Sequence, residues 1–267
     1  MTTAPAVRPG MLPPERADHY LHLEGARTVA TEALRTAREN IAATLEARAM
    51  MCISGAAGNG KSLSVNASLR LLAPHNSYRI AFRARPTPRD IRHELFRALG
   101  LPGEPPARPI EFDAVLKDAL ARGFHVLVCD EAQWMSRECF EYWRYLWDDP
   151  ATDIAVVFAG GDGCAKVLRR EPMLASRVYI WQQAHPLTLP EVLATIPAFH
   201  PLWEGVDADL IALVDKQAAH GNFREWARIT KLATDGLTAR AMGFSPSGAG
   251  GDPVHRPRVA TRRGGSP

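Results

Sequence analysis

The sequence predicts an α/β fold: a parallel five-stranded sheet flanked by helices, followed by a small C-terminal helical lid. Three observations carry this. The segment Gly55-Ala56-Ala57-Gly58-Asn59-Gly60-Lys61-Ser62 follows an apolar run and opens a helical pattern. Short apolar runs then alternate with helical stretches, the order that produces parallel sheets. From Leu189 onward the pattern is wholly helical.

Taken in order, residues 1–17 are rich in proline and poor in apolar residues, which predicts a flexible N-terminal arm. Residues 18–187 form the nucleotide-binding α/β domain. Its leading helix is expected from Asp18 to Arg48, with Leu34, Ile41 and Leu45 on one face. Ala49 to Ile53 reads as the first, buried strand, and Ser62 to Leu72 as the helix after the glycine loop. Tyr78 to Phe82 is the second strand. An arginine-rich loop and a helix from Asp90 to Leu99 follow it, then a Pro/Gly-rich loop and a helix from Phe112 to Arg122. Phe124 to Glu131 is a third strand ending in two carboxylates. A helix from Ser136 to Trp147 carries or adjoins six aromatic residues, read as core and subunit-contact packing with base stacking as the alternative. Asp153 to Ala159 is the fourth strand, Cys164 to Arg170 a short helix, and Val178 to Trp181 the fifth strand. Helices at Pro190 to Phe199, Ala208 to His220 and Phe223 to Met242 make the lid, residues 188–243. Residues 244–267 read as a disordered basic tail.

The glycine segment fits G-x-x-x-x-G-K-[ST] at every fixed position, in the strand–loop–helix context that pattern requires. Glycines let successive backbone N–H groups turn toward a phosphate, and the helix N-terminus adds positive partial charge. The expected nucleotide contacts are Gly55, Ala56, Ala57, Gly58, Asn59, Gly60, Lys61, Ser62 and Leu63, with Lys61 reaching the β- and γ-phosphates. Ser62 and Asp130 are the expected Mg²⁺ ligands, and Glu131 the general base that polarises water. The plain alternatives are a glycine-rich turn that binds nothing and a strand-end carboxylate that caps a helix. At the end of the fourth strand, where a polar side chain could sense the γ-phosphate, only Asp162 offers one.

The chain has 267 residues and no stretch near the roughly 18 consecutive apolar residues of a membrane helix. Its start lacks an apolar core after a basic stretch, so no signal peptide is expected. The four cysteines, Cys52, Cys129, Cys139 and Cys164, show no CxxC pair and read as reduced core residues of a cytoplasmic protein without a cysteine metal site. Four arginines against Asp252 in the tail account for the whole net charge of +3, so the body is balanced. Any nucleic-acid footprint on the body must come from local clustering. Arg83, Arg85, Arg89 and Arg92 form such a cluster, with a solvated face as an equal alternative.

With these motifs laid out, the chain resembles the AAA+ ATPases, and among them the transposition target-selection ATPases of the MuB/TniB/TnsC type. The resemblance spans about Leu21 to Met242. It rests on Gly55 to Ser62, on Asp130-Glu131-Ala132-Gln133, on Pro86-Thr87-Pro88 before a helix ending Ala98-Leu99-Gly100, and on Leu174-Ala175-Ser176-Arg177. It implies that Arg177 is an arginine finger reaching a neighbouring subunit's γ-phosphate. Gly221-Asn222-Phe223-Arg224 resembles the lid motif in which Arg224 would be the second sensor. A surface ion pair is the alternative for each arginine. Related ATPases carry Asn or Thr at the end of the fourth strand; an Asp there would repel the γ-phosphate and slow hydrolysis more than binding. The resemblance implies ATP and Mg²⁺ as cofactors, self-assembly into a ring or filament on duplex DNA without sequence preference, and a transposase or other recombination partner. A replication initiator or helicase loader, a secretion-type ATPase, and a nucleotide-gated protein-binding switch without DNA are the alternatives.

Overall fold

The computed structural model describes residues 10–82 and 85–241. Five strands, β1 (Met50–Gly55), β2 (Ser77–Ile80), β3 (His125–Cys129), β4 (Ile154–Gly160) and β5 (Val178–Ala184), form one sheet in the order β2-β3-β4-β1-β5, parallel throughout. β1 and β4 are buried along their whole length, as a sheet covered on both faces requires.

Helices α1 (Glu32–Glu46) and α2 (Lys61–Leu72) cover one face, where Ile41, Leu45, Val65 and Leu69 pack on Met51, Ile53 and Val157. Helices α3 (Pro88–Ala98), α4 (Pro109–Leu120), α5 (Arg137–Trp147), α6 (Cys164–Arg169) and α7 (Pro172–Ala175) build the other layer around Met50, Cys129 and Phe158. Capping residues set several of these starts. Thr87 and Asp90 form a reciprocal capping box on α3, and Ser136 accepts from Cys139 N to cap α5.

Of the aromatic cluster, Phe140, Tyr142 and Trp143 are buried, with Phe140 and Trp143 edge-on to Phe158, while Trp134 and Tyr145 are exposed. Helices α8 (Leu189–Phe199), α9 (Ala208–Val214) and α10 (Phe223–Ala241) follow β5. The first two and the start of α10 share a separate core in which Trp203 and Trp226 meet edge to face at 5.2 Å. Two compact units divide the chain within α10, after Lys231; in the second, described residues 232–241 continue as helix.

Two sequence expectations give way. Asp18 to Thr31 is not α-helical: it holds only a short 3-10 turn at Tyr20–His22, Leu21 and His22 take left-handed backbone angles, Gly25 has φ +81°, and α1 begins only where the Thr31 side chain accepts from Leu34 N. Residues 10–17, assigned to a flexible arm, are tied down. Arg79 N donates to Gly10 O at 2.7 Å, Met11 bridges Tyr78 on the edge strand β2, and Arg70 Nη1 donates to Pro13 O at 2.9 Å. An open strand edge offers unpaired backbone groups, and this segment satisfies some of them. The rest of the arm and the whole of the tail lie outside the described residues, including Arg256, Arg258, Arg262 and Arg263.

Candidate functional site

The glycine loop leaves the C-terminal end of β1 and runs into α2. Gly58 and Gly60 have φ of +89° and +76°, left-handed angles that residues with a Cβ seldom take. Gly60 caps α2 without a side-chain bond, so the first-turn N–H groups of a 12-residue helix face the loop unclaimed by a side chain. Asn59 is buried, its Nδ2 donating to Ala184 O at 3.2 Å while its Oδ1 has no partner.

Lys61 Nζ bonds Gly55 O at 2.7 Å and Ala56 O at 2.8 Å. Burial pushes its pKa down, while the charges of Asp162, Glu131 and Asp130 act against that shift. An ammonium in a partly dry loop surrounded by carbonyls and N–H groups suits an anion that carries its own negative charge.

A cavity of about 620 Å³ joins these parts. Its walls include the loop from Ala57 to Leu63, Asp130 and Glu131, Arg224 from the lid, and the Tyr20–His22 strap with Phe199 and Phe223. That volume matches a small-molecule site. Arg224 lies over the Tyr20 ring, 5.3 Å to the centroid. The sequence singled out Gly55 and Ala56 too, but their carbonyls serve Lys61 and they do not line the cavity.

Asp130 is engaged by Arg79 Nη2, and Arg79 Nη1 also donates to Asn66 Oδ1 at 2.8 Å. Asn66 Nδ2 in turn donates to Asp18 Oδ1 at 2.7 Å, and Arg70 pairs with the same aspartate. This polar chain links the carboxylate expected to hold a cation with Asp18 at the start of the strap, which lines the same cavity. Neither Arg79 nor Asp18 carries a local signal in the sequence.

No group of three or more His, Cys, Asp or Glu side chains suited to a metal occurs among the described residues. Ser62 and Asp130 line one cavity with the glycine loop, and that fits Mg²⁺, which uses few protein ligands beside phosphate and water oxygens.

Glu131 sits just past β3 with φ +52°, a strained turn that brings it to the cavity. Asp162 is exposed and does not line the cavity. In its place the wall at the end of β4 holds Gly160, Gly161 and the side chain of Gln133.

The lid meets the loop directly. Asn222 Nδ2 donates to Ala57 O at 2.8 Å and Phe223 N to Gly58 O at 3.1 Å. The same Asn222 side chain accepts from Arg224 N and Glu225 N at the start of α10.

Arg177 lies elsewhere. It precedes Val178, which pairs with Met50 at the start of β1, whereas the glycine loop leaves the far end of that strand. Five residues of strand separate them, roughly 16 Å. Its guanidinium donates to Asp148 Oδ1 and Oδ2 at 2.5 and 2.7 Å.

Of the arginine cluster, Arg83 lies outside the described residues, and Arg85 and Arg89 are exposed. Arg92 is instead committed inward. It donates to Asp113 Oδ1 at 2.7 Å and Oδ2 at 3.1 Å, stacks over Tyr142, and is 16% exposed. A guanidinium already paired and stacked is a poor phosphate contact, so this expectation is corrected.

Sheet, glycine loop, strand-end carboxylates and C-terminal helices together define the AAA+ P-loop fold. Residues 44–168 match the family model of the AAA domain (AAA_22). The backbone is similar to the Aeropyrum pernix ORC2 protein in ADPNP–ADP complexes, with TM-score 0.64 and 17% identity over 83% of this chain and 66% of that one. It is also similar to Aeropyrum pernix ORC1 in complex with DNA, with TM-score 0.61 and 16% identity over 85% and 64%. The Thermotoga maritima RuvB Holliday junction branch migration motor matches with TM-score 0.52 and 16% identity over 78% and 63%. The chain therefore spans about two thirds of the length of these proteins. A comparison with curated proteins finds no sequence match.

Proposed function

We propose that this chain is an ATPase that binds ATP with Mg²⁺, assembles on duplex DNA without sequence preference, and recruits or activates a transposase. Hydrolysis drives disassembly. The observation that carries the nucleotide part is the single cavity walled by the glycine loop, Asp130, Glu131 and Arg224. The anion loop takes the phosphates, Ser62 and Asp130 hold the cation that neutralises them, and Glu131 takes a proton from water.

Self-assembly is supported by the position of Arg177. At the opposite end of the sheet from its own loop, it is too far to serve its own nucleotide, and a role at a neighbouring copy's nucleotide requires it to exchange its pair with Asp148 for the phosphate. DNA contact is assigned to Arg83, Arg85 and Arg89, and the cytoplasm is the proposed location. No described helix is long and apolar enough to cross a membrane. The initiator or helicase-loader reading keeps its place because two of the similar structures are ORC proteins, one of them in complex with DNA.

Electron microscopy of the protein with ATP and duplex DNA tests assembly and DNA contact together. Glu131→Gln is expected to keep ATP and to accumulate the DNA-bound assembly, seen as larger particles and slower release from DNA. Failure of this variant to bind ATP would remove Glu131 as the general base. Absence of DNA retention in every nucleotide state would remove the DNA reading.

A further inference from the structure

Gln133 is drawn into the site by contacts that its sequence neighbourhood does not suggest. Its Oε1 accepts from Gly161 N at 3.0 Å, and its Nε2 donates to the Glu131 carboxylate. The orientation of the amide is forced by chemistry. A backbone N–H only donates and an ionised carboxylate only accepts, so the oxygen must face Gly161 and the NH₂ group Glu131. Its place is also reserved. A Cβ on Gly160 would overlap Gln133 Oε1, so the side chain occupies the space that glycine leaves at the end of β4.

The register then sets what lies beside it. Gly160 pairs with Ser54, the residue before the glycine loop, so the strand end on which Gln133 packs lies one strand spacing, about 5 Å, from the start of that loop. It lines the same cavity as Lys61 and Asp130. An amide NH₂ has two hydrogens, and Glu131 takes one.

We infer that Gln133 reads the terminal phosphate from the end of β3: clamped by Gly161, it spends one amide hydrogen on Glu131 and offers the other to the γ-phosphate. This places the phosphate-sensing group off β4, whose tip of two glycines is the complement of Gln133. Glu131 is thereby held beside the phosphate by the same group that detects it. The inference rests on the nucleotide reading above.

The test measures binding of ADP and of a non-hydrolysable β,γ-imido ATP analogue, each with Mg²⁺, to the full chain by calorimetry. Gln133→Met keeps the length and removes both hydrogen-bonding groups. It is expected to bind the triphosphate analogue about 10-fold or more weakly, because a bond to a charged partner is lost, with ADP affinity within about 2-fold of the parent. Equal losses for both nucleotides would make Gln133 merely structural, and an unchanged ratio would overturn the inference. Gln133→Glu keeps the acceptor for Gly161 N but sets a carboxylate against Glu131. It is expected to lose the triphosphate preference as well, and retention of that preference would equally overturn the inference. Should the parent protein bind neither nucleotide, the nucleotide reading itself falls.

Discussion

Asn222 joins the lid to the glycine loop and at the same time begins α10, and two substitutions separate these duties. Its Oδ1 accepts from Arg224 N at 2.9 Å and Glu225 N at 3.3 Å, which is helix capping, while its Nδ2 reaches Ala57 O at 2.8 Å. Loss of a cap costs about 1 kcal/mol, and loss of a net hydrogen bond about 1 kcal/mol more. Asn222→Ala is therefore expected to lose about 2 kcal/mol, which for a chain of this size lowers the melting temperature by roughly 4–8 °C.

Asn222→Asp keeps the cap acceptor and adds a charge suited to a helix N-terminus. It cannot donate to Ala57 O. This variant should melt closer to the parent than Asn222→Ala does, yet bind nucleotide about 2- to 10-fold more weakly, the equivalent of the lost loop bond. Melting followed by circular dichroism and nucleotide titration by calorimetry give both quantities. An aspartate variant that binds nucleotide like the parent would refute the idea that the lid holds the loop in its binding shape.

Three further outcomes follow from the structure. Arg92→Met breaks a largely buried ion pair with Asp113 and is expected to cost about 3 kcal/mol in urea unfolding; equal stability would show that the pair does not hold α3 to α4. The hydrogen bond from Arg177 holds the Asp148 carboxyl below its ordinary pKa, with Arg144 adding to the effect. A depressed carboxylate stabilises the fold above its unfolded pKa, near 3.9, and that contribution disappears as pH falls through the folded value. The stability gap between the parent and Asp148→Asn should thus be present at pH 7 and 5 and shrink near pH 3, and a gap that ignores pH would exclude the pairing as its cause. Finally, Cys52, Cys129, Cys139 and Cys164 are all buried, with the Cys52 and Cys164 sulfurs 3.9 Å apart. Burial raises the Cys129 thiol well above its ordinary pKa, so a thiol reagent should find four reactive groups only after unfolding. Rapid labelling of the native protein would contradict that packing.

Much of the site was legible because its chemistry is local. The glycine loop needs strand, turn and helix in one run of residues, and Asp130 and Glu131 end a strand whose apolar content is visible without a neighbour. Leu34, Ile41 and Leu45 announced the buried face of α1 for the same reason, since a helical period is a property of one segment. The strap from Asp18 to Thr31 misled because the helical pattern of Leu34 to Leu45 was extended back over weak helix formers, Gly25, Thr28 and Val29 among them, while Asp18 is held by Asn66 of α2.

By itself, then, the sequence determined most of the elements that form, where the glycine loop lies and which carboxylates follow it. Only the tertiary structure decided that Gln133 meets Gly161, that Arg79 engages Asp130 and that Asn222 reaches Ala57, pairs 28, 51 and 165 residues apart. It also placed Arg177 away from its own loop and turned Arg92 inward. The physical reason is the strand order β2-β3-β4-β1-β5: which strand ends become neighbours depends on the packing of both faces of the sheet, and no periodicity within one segment encodes that.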